Sequence, residues 1–354
     1  MELSLERMIE EWDGLAVVSR HHRPTGAWIF IALHDDALGG PTGGTRIKVY
    51  ETPADGLRDA LRLAEGMTHK WAAIELPFGG GKGVLALGHE TSRIEREDLL
   101  VCYGHLVNSL RGSFSTGQDL GTTTEDMLLL ARHTRFVHGP DAETGRALDP
   151  GPYTARAVFA GLLAAVEQVF GSPDLNGRRI LVQGVGGVGR PLANQCAGAG
   201  ADLLLSDLDE QRARSAADEL GANIVAPQDV YSTPCDVYAP CALGATLNPA
   251  TISRLDCRIV AGAANNQLGA SGDAELLHER GILYAPDYVI NGGGALAFGL
   301  KAQGEKNEEL IGKRLDGLGG TLAEIFAEAR ERDESPLHAS WRRVERVLAR
   351  ARRS

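Results

Sequence analysis

The sequence predicts an α/β protein of two domains, and three observations lead to this prediction. The chain has 354 residues, more than one ordinary domain, and 43% of them are apolar, which is enough for a sizeable core. Apolar runs with the character of strands alternate with segments in which apolar residues recur at helical spacing. A glycine-rich turn at 184–189 joins one such strand to one such helix. We therefore expect an N-terminal α/β domain with a mixed sheet, followed by a Rossmann-type, doubly wound domain.

The composition argues against several classes of partner. The formal net charge is −11 at pH 7 and comes from dispersed carboxylates, which argues against a nucleic-acid partner. The five cysteines form neither a CxxC pair nor a His/Cys cluster at metal-ligand spacing, so we expect reduced thiols and no metal. The first residues lack a basic start and an apolar signal core, and no run of 18 apolar residues occurs. We expect a cytoplasmic protein without a membrane partner.

Two strands of the first domain are predicted on either side of a glycine-rich segment. Residues 27–33 are rich in strand-forming side chains, and residues 46–50 alternate polar and apolar ones. The segment 39–45 between them contains four glycines. On these residues alone, a backbone that a ligand approaches closely and a flexible loop are equally good interpretations.

Two lysines follow in apolar, glycine-rich surroundings. A helix is predicted to begin after Thr52 as N-cap and to end at about Met67, so Lys70 is expected beyond its C-terminal end. Lys82 lies in the segment 77–83, which is nearly bare backbone and is predicted as a loop. Most lysines are solvated surface charges, but burial and a neighbouring ammonium both lower the pKa of a lysine. Because such a lysine can act as a general base near neutral pH, we favour a functional role for both.

An acidic residue lies in a later loop of the same domain. An amphipathic helix is predicted from Glu95 to Leu110, and Asp119 follows it among hydroxyl and glycine residues. On spacing alone, Asp119 is best explained as the N-cap of a helix that begins near Thr124.

The turn at 184–189 has the features of a dinucleotide-binding site. It follows an apolar run and opens a helix whose N-terminus faces the phosphates. In the GxGxxG pattern, Gly184, Gly186 and Gly189 provide a tight turn, close approach to a pyrophosphate and close packing of helix on strand. Asp207 ends the next strand, where a carboxylate accepts hydrogen bonds from a ribose hydroxyl and favours NAD over NADP. A structural turn without a ligand is the alternative.

The remaining segments complete the second domain and the C-terminus. Pro and Gly cluster at 139–152, where we place the domain boundary, and Thr154 in the helix that follows has the position of an N-cap. Cys241, near the end of a later strand, is expected to be a core thiol. Helices are predicted over 305–330 and 336–353, and the second has an apolar face with arginines elsewhere. We favour a solvated arginine face over a basic partner-binding tail.

Seven motifs occur in an order that is typical of one enzyme family. They are GGPTGGTR (39–46), GMTHKWA (66–72), LPFGGGKGV (76–84), GQDLGTTTEDM (117–127), VQGVGGVG (182–189), GAANNQL (262–268) and APDYVINGGG (285–294). Together they resemble the amino-acid dehydrogenase family that contains the leucine, valine, phenylalanine and glutamate dehydrogenases. The resemblance is closest to the leucine/phenylalanine branch and covers roughly residues 30–300.

The resemblance implies roles for the charged residues named above. Lys70 is expected to hold the substrate carboxylate, and Lys82 to activate the water that attacks the imine or to take the proton from the amine. Asp119 is expected to relay protons and to hold the amino group, which replaces the N-cap interpretation. An amino acid is a zwitterion, so a cation, a neutral base and a carboxylate in one site suit its charges.

The same resemblance implies further residues at the substrate and the cofactor. Those expected at the substrate are Gly43, Gly44, Thr42, Gly117, Asn266, Asn291, Ala295 and Phe298. Those expected at NAD are Thr154, Gly184, Gly186, Gly187, Val188, Gly189, Asp207, Ala239, Cys241, Ala242, Asn265 and Asn291. The substrate side chain should meet Thr42, Gly117, Ala295 and Phe298. The first three leave room for a large side chain, whereas Phe298 either narrows the pocket or stacks on an aromatic substrate.

The implied enzyme oxidatively deaminates an apolar or aromatic L-amino acid of the phenylalanine, leucine or valine class, with NAD, to the 2-oxo acid and ammonia. The reaction is reversible, and the site is expected in the cleft between the domains. The expected domains are residues 1–148 for catalysis and homo-oligomer assembly, 149–325 for NAD, and 326–354 for a C-terminal helix returning to the first domain. Two alternatives stay open: an NAD-dependent 2-hydroxy-acid dehydrogenase, which needs a catalytic histidine backed by a carboxylate, and an NAD-binding regulatory protein without catalysis.

Overall fold

The computed structural model describes residues 5–89, 92–139 and 149–353. Contacts divide the chain into two units, one formed by Met1–Leu148 with Arg346–Ser354 and the other by Asp149–Glu345. Residues 326–345 group with the second unit, because one uninterrupted helix, Glu308–Arg332, crosses the predicted limit of the NAD domain. The division of the chain by role stays a prediction. In the described ranges, no helix has the length and apolar character needed to cross a lipid bilayer.

The first unit is an α/β unit around a mixed sheet. Its elements are, in chain order, α1 (Leu5–Trp12), β1 (Ala16–His22), β2 (Ala27–Asp35), β3 (Pro41–Val49), α2 (Pro53–Ala73), β4 (Gly79–Leu87), α3 (Arg93–Ser109), β5 (Ser115–Gln118) and α4 (Thr124–Ala131). The strands lie in the order β1-β2-β4-β3-β5. β2 pairs antiparallel with β1 and β4, whereas β3 pairs in parallel with β4 and β5. The predicted mixed sheet is confirmed.

Different helices cover the two faces of this sheet. α2 covers the face that carries Phe30, Val84 and Ala86, and α3 with α4 covers the opposite face, to which Leu85 contributes. Successive side chains of a strand point to opposite faces. Lys82, two residues before Val84, therefore lies on the face that α2 covers.

Helix α2 begins as predicted but ends later. Thr52 forms a capping box at its N-terminus. The helix then continues to Ala73, because Thr68 and Trp71 extend its buried stripe. Lys70 consequently lies within the last turn of α2 and not beyond its end.

Most of both glycine-rich segments of the first unit lies in strands. The prediction of a loop at 77–83 was wrong, and the flexible loop that was one of two interpretations of 39–45 is not formed by residues 41–45. Gly43 and Gly44 lie within β3, and Lys82 lies within β4. An added Cβ at Gly43 would lie 1.8 Å from a carbonyl oxygen of β4, and one at Gly80 would lie 1.9 Å from Thr68 Oγ1. Glycine is disfavoured in strands. Here close packing of strand on strand and of helix on strand requires it.

The second unit is doubly wound. Its elements are α5 (Gly151–Phe170), β6 (Arg179–Gln183), α6 (Gly189–Gly198), β7 (Asp202–Ser206), α7 (Glu210–Leu220), β8 (Asn223–Ile224), a 3₁₀ turn (Val230–Ser232), β9 (Val237–Pro240), α8 (Pro249–Ile252), β10 (Ile259–Val260), α9 (Asp273–Glu279), β11 (Leu283–Tyr284), α10 (Asp287–Ile290), α11 (Gly293–Ala302), α12 (Glu308–Arg332) and α13 (Pro336–Ala351). The strands pair in parallel in the order β11-β10-β9-β6-β7-β8. The chain reverses direction across the sheet between β6 and β9, where such folds bind ligands. This order confirms the predicted Rossmann-type sheet.

The C-terminal helix α13 is a packed element. Leu337 is buried, and Trp341 packs beside it in a core cluster of the second unit. Arg342 contacts two glutamates at the end of α12 and just after it. Arg352 donates to Asp35 over 2.5 Å, and both residues are counted with the first unit. These contacts within the chain favour a packed helix over a basic tail for a partner.

Candidate active site

Lys82 and Asp119, which we call the central pair, form the middle of the candidate site in the first unit. Lys82 projects from β4, and Asp119 follows directly after β5. Lys82 Nζ lies 3.2 Å from Asp119 Oδ2, and the side chains are 5% and 21% exposed. β3 lies between β4 and β5, so the backbones of these two strands are about 10 Å apart, and the side chains of the pair meet across β3. An added Cβ at Gly44 of β3 would lie 2.7 Å from the Asp119 Cβ. The missing side chain at Gly44 therefore leaves space for the pair.

The turn after β5 holds Asp119 by its backbone. The Asp119 N–H donates to Thr122 Oγ1 over 2.9 Å. α4 begins with a capping box between Thr123 and Asp126. The interpretation of Asp119 as an N-cap was therefore wrong, and its carboxylate is directed at basic side chains.

Arg46 on β3 extends the charge network and was not predicted from the sequence. Its Nε donates to Asp119 Oδ2 over 2.9 Å, and its Nη1 donates to Asp59 Oδ2 of α2 over 3.0 Å. Asp59 also accepts from the Tyr50 hydroxyl over 2.7 Å. The two-residue period of a strand could have identified it. Arg46 comes two residues after Gly44 and therefore lies on the same face of the sheet as Gly44.

These surroundings lower the pKa values of both groups in the central pair. Burial lowers the pKa of Lys82, and the positive charge of Arg46 lowers it further, against the opposing effect of Asp119. Burial alone would raise the pKa of Asp119, but the positive charges of Lys82 and Arg46 outweigh it and lower that pKa to about 2. The site thus combines a lysine biased toward its neutral form with a carboxylate that stays ionised. Such a pair can accept a proton beside a fixed negative charge.

Lys70 lies on α2, which packs on the face that carries the central pair. Two residues before it, Thr68 packs closely against Gly80 of β4. One residue after it, the Trp71 Nε1 donates to the carbonyl oxygen of Thr42 on β3 over 2.8 Å. The helix is therefore attached to the sheet on both sides of Lys70 in the chain, and Lys70 is half-buried.

A histidine that was not predicted lies beside Gly117. An added Cβ at Gly117 would lie 3.6 Å from the carbonyl oxygen of His138 and 3.9 Å from its Cβ. Burial lowers the pKa of His138, and its Nε2 has no hydrogen-bond partner among the described residues. No local pattern marks this residue, because only the bridge between Thr116 and Val137 brings it next to β5. A neutral imidazole thus borders the position predicted for the substrate side chain.

The turn between β6 and α6 has the geometry of a phosphate cradle. Gly184 has a φ of +91°, which favours glycine. An added Cβ at Gly189 would lie 1.8 Å from the Gly184 carbonyl oxygen, whereas one at Gly186 or Gly187 would meet nothing within 4 Å. Val188, the N-cap of α6, makes no side-chain cap, so the backbone N–H groups there suit an anion. These residues fit a dinucleotide pyrophosphate.

Asp207 follows β7, and backbone groups hold its carboxylate. Oδ2 accepts from the Val185 N–H of the cradle over 2.9 Å, and Oδ1 accepts from the Asp209 N–H over 2.9 Å. Arg212 of α7, which was not predicted, lies 3.3 Å from Oδ1 through its Nη1. The acid is therefore fixed relative to the phosphate cradle.

The end of β9 packs against the same cradle. Ala239 lies within β9, and Cys241 and Ala242 follow it. An added Cβ at Gly184 would lie 2.8 Å from the Ala242 Cβ, and one at Gly189 would lie 3.2 Å from the Cys241 Cβ. Burial raises the pKa of Cys241 to about 12, so this half-buried side chain stays a thiol and is not a nucleophile.

Thr154 is not the N-cap that the sequence predicted. α5 begins after Pro150, and the Thr154 hydroxyl donates to the Pro150 carbonyl oxygen over 2.9 Å. An added Cβ at Gly294 would lie 2.8 Å from Thr154 Oγ1. Thr154 therefore packs against the first turn of α11, the helix that carries Ala295 and Phe298 one turn apart.

The predicted asparagines lie close to one another after β10 and α10. Asn291 is buried, and its Nδ2 donates to Asn265 Oδ1 over 2.8 Å and to the Ala263 carbonyl oxygen over 3.2 Å. Asn266 is exposed and has a φ of +50°. Its left-handed backbone suits asparagine better than most residues. Across the described ranges, no group of three or more His, Cys, Asp or Glu side chains could hold a metal ion.

Two family models match the chain. The model described as Glu/Leu/Phe/Val dehydrogenase, dimerisation domain, matches residues 21–136. The model described as Glutamate/Leucine/Phenylalanine/Valine dehydrogenase matches residues 204–311.

Individual relatives match nearly the whole chain. Leucine dehydrogenase from Bacillus subtilis is 39% identical over 353 residues, which cover 99% of this chain and 96% of that protein. Phenylalanine dehydrogenase from Lysinibacillus sphaericus is 39% identical over 310 residues, which cover 86% of this chain and 81% of that protein. The crystal structure of L-tryptophan dehydrogenase from Nostoc punctiforme matches with a TM-score of 0.85 at 37% identity. The match covers 99% of this chain and 100% of that one. The resemblance inferred from the motifs is confirmed: the chain belongs to the Glu/Leu/Phe/Val dehydrogenase family of amino-acid dehydrogenases, enzymes that use a nicotinamide cofactor.

Proposed function

We propose that the protein catalyses the reversible, NAD-dependent oxidative deamination of an apolar or aromatic L-amino acid to the 2-oxo acid and ammonia. The observation that carries the proposal is the buried contact of 3.2 Å between Lys82 Nζ and Asp119 Oδ2. Relatives named as leucine, phenylalanine and tryptophan dehydrogenases support a large apolar or aromatic substrate side chain. Among the residues that we propose at the substrate, Gly117 and Ala295 are small, which suits such a side chain.

Each charge of the substrate has a counterpart in this proposal. Lys70 binds the carboxylate of the amino acid, and Asp119 balances and holds its ammonium group. Lys82 in its neutral form takes the proton from that ammonium, and later activates the water that attacks the imine carbon. Since the pKa of Asp119 is lowered to about 2, a fixed negative charge suits it better than proton relay in the free enzyme. The carbonyl of the 2-oxo acid forms as ammonia leaves.

NAD is the proposed cofactor because of Asp207. Its carboxylate is fixed to the phosphate cradle through the Val185 N–H, where it can accept from a ribose hydroxyl and repel a 2′-phosphate. When bound, the nicotinamide supplies the hydride acceptor for the substrate α-carbon. The other residues proposed at the cofactor are Thr154, Gly184, Gly186, Gly187, Val188, Gly189, Ala239, Cys241, Ala242, Asn265 and Asn291. The further residues proposed at the substrate are Thr42, Gly43, Gly44, Asn266, Asn291 and Phe298.

We also propose that the enzyme is a cytoplasmic homo-oligomer that assembles through its first unit. The family model that matches residues 21–136 is described as a dimerisation domain, which supports assembly through this part. All five cysteines lie in the described part of the chain and are free thiols, which suits a reducing compartment. Light scattering after gel filtration measures the subunit number.

Three histidine–carboxylate contacts give no support to the hydroxy-acid alternative. It requires a catalytic histidine backed by a carboxylate. Contacts between histidine and carboxylate side chains in the described ranges include His22 with Asp98, His278 with Asp333, and His338 with Glu275. None of these contacts includes a residue proposed at the substrate or the cofactor.

The deciding experiment measures NADH formation by its near-ultraviolet absorbance with NAD and a panel of L-amino acids at alkaline pH. We expect turnover with apolar or aromatic amino acids, and a loss of about 10²- to 10⁴-fold in Lys82→Ala, the usual contribution of a general base. Lys313→Ala is the matched control, because Lys313 is an exposed lysine paired with Glu309 on α12. If no amino acid is turned over while NADH still binds, the regulatory alternative replaces the dehydrogenase.

A further inference from the structure

Arg212 contacts the carboxylate that is proposed to select the nucleotide. It lies in the first turn of α7. Its Nη1 is 3.3 Å from Oδ1 and 3.4 Å from Oδ2 of Asp207, and its Nη2 is 3.2 Å from Asp209 Oδ2. The Arg212 side chain is 49% exposed, whereas that of Asp207 is 9% exposed. A solvent-accessible guanidinium thus contacts the largely buried carboxylate of Asp207.

We propose that Arg212 is a second determinant of nucleotide choice: it weakens the barrier that Asp207 sets against a 2′-phosphate, and it binds that phosphate when the carboxylate is removed. The inference rests on the proposed function, in which Asp207 faces the adenosine ribose. It goes further because it assigns a role to a residue outside the glycine pattern and its acid.

The donors around Asp207 are those that a phosphate would need. Three groups donate to its carboxylate: the N–H of Val185, the N–H of Asp209 and the guanidinium of Arg212. A ribose hydroxyl can donate to the carboxylate, whereas a 2′-phosphate has only acceptors and negative charge to offer it. Without the carboxylate, the same three donors converge on one place and suit an anion. Arginine is the side chain best matched to phosphate geometry.

The charges around Arg212 explain why NAD is favoured while the carboxylate is present. Asp207 and Asp209 contribute two negative charges, and Arg212 contributes one positive charge. An arriving 2′-phosphate therefore meets net negative charge, although less than without Arg212. Asp209 also caps α7 through the Arg212 N–H, so the backbone of this turn is held independently of the Arg212 side chain.

The experiment measures dissociation constants for NADH and NADPH by nicotinamide fluorescence at fixed ionic strength, and needs no turnover. The variants are Asp207→Ser, Arg212→Ala and the double variant. Arg214→Ala, alone and with Asp207→Ser, is the matched control, because Arg214 is an exposed arginine of the same helix that pairs with Glu210. A hydrogen bond to a charged group corresponds to a change of about tenfold or more.

We expect Asp207→Ser to raise the affinity for NADPH relative to NADH by about tenfold or more. The double variant with Arg212→Ala should lose this gain, and the double variant with Arg214→Ala should keep it. A gain that persists without Arg212 overturns the inference. If Asp207→Ser does not fold, Arg212→Ala alone decides: it should reduce the relative affinity for NADPH several-fold, and an unchanged ratio overturns the inference.

The two proposals fail in different ways. Wild-type protein that binds neither nucleotide contradicts the proposed function, and the inference falls with it. Wild-type protein that binds NADH, with a nucleotide preference that does not respond to Arg212, contradicts the inference alone.

Discussion

Replacing Arg46 with methionine tests whether neighbouring charge, in addition to burial, adjusts the pKa of Lys82. Arg46 is largely buried and contacts both Asp119 and Asp59. Methionine is shorter than arginine but keeps an unbranched, flexible side chain without the charge. Because the positive charge of Arg46 lowers the pKa of Lys82, its removal should raise that pKa. Lysine is a base only in its neutral form, above its pKa. The acid limb of the rate profile should therefore move to higher pH.

The size of the shift follows from the distance between the two cations. Lys82 Nζ and Arg46 Nε contact the same oxygen of Asp119, at 3.2 and 2.9 Å, so these nitrogens are at most about 6 Å apart. Two unit charges about 6 Å apart repel by about 3 kcal/mol at an effective dielectric constant of about 20. This repulsion corresponds to a shift of about two units in the pKa of Lys82. Because the guanidinium charge is delocalised and Asp119 lies between the cations, we expect a shift of about one unit.

The assay is the pH dependence of kcat/KM for deamination, which reports the pKa values of the free enzyme. Arg62→Ala is the matched control, since Arg62 donates to the other oxygen of Asp59 over 2.8 Å and is half-exposed. This control should keep the wild-type limb. An acid limb that stays in place in Arg46→Met, or moves to lower pH, refutes the reasoning.

Three further predictions concern single residues. The negative charge of Asp119 raises the pKa of Lys82, so Asp119→Asn should move the same acid limb to lower pH and reduce the rate. The ordinary pKa of Asp119 is 3.8 and the folded value is about 2, so its ionised form stabilises the fold above about pH 4. Urea unfolding should therefore show the stability advantage of wild type over Asp119→Asn shrinking as the pH falls from about 5 to 2; a constant difference contradicts this. Gly189→Ala should lower the melting temperature, because its Cβ would lie 1.8 Å from a carbonyl oxygen, whereas Gly186→Ala should melt like wild type but bind NADH more weakly. Equal melting temperatures would refute this contrast.

Two elements with a strong local signal were predicted correctly, although the local signals for N-caps at Asp119 and Thr154 were misleading. The capping box at Thr52 marks the start of α2, and an apolar run followed by a glycine turn marks the passage from β6 to α6. Both signals depend on hydrogen bonds and backbone angles within a few residues. The end of α2 was misplaced, because burial of Trp71 against the sheet extends the helix past the point where its local pattern weakens.

The loop predicted at 77–83 was wrong for a similar reason, and the same reason left a flexible loop open as one interpretation of 39–45. Local preference places Gly43 and Gly44 in a loop. In the folded unit, the carbonyl oxygen of a neighbouring strand and the Asp119 side chain occupy the space that side chains would need. Such requirements come from residues distant in the chain, so no window of sequence contains them.

The sequence by itself determined the α/β class, the Rossmann turn and the order of motifs that indicates the family. Only the tertiary structure decided how the charges of the site are connected: the 3.2 Å contact of Lys82 with Asp119, the link from Arg46 to Asp59, and the position of Arg212 over Asp207. The physical reason is the separation along the chain over which each kind of interaction acts. Caps and turns are set by neighbours in the chain, whereas ion pairs and pKa values depend on distance and burial, which sheet register and helix packing establish.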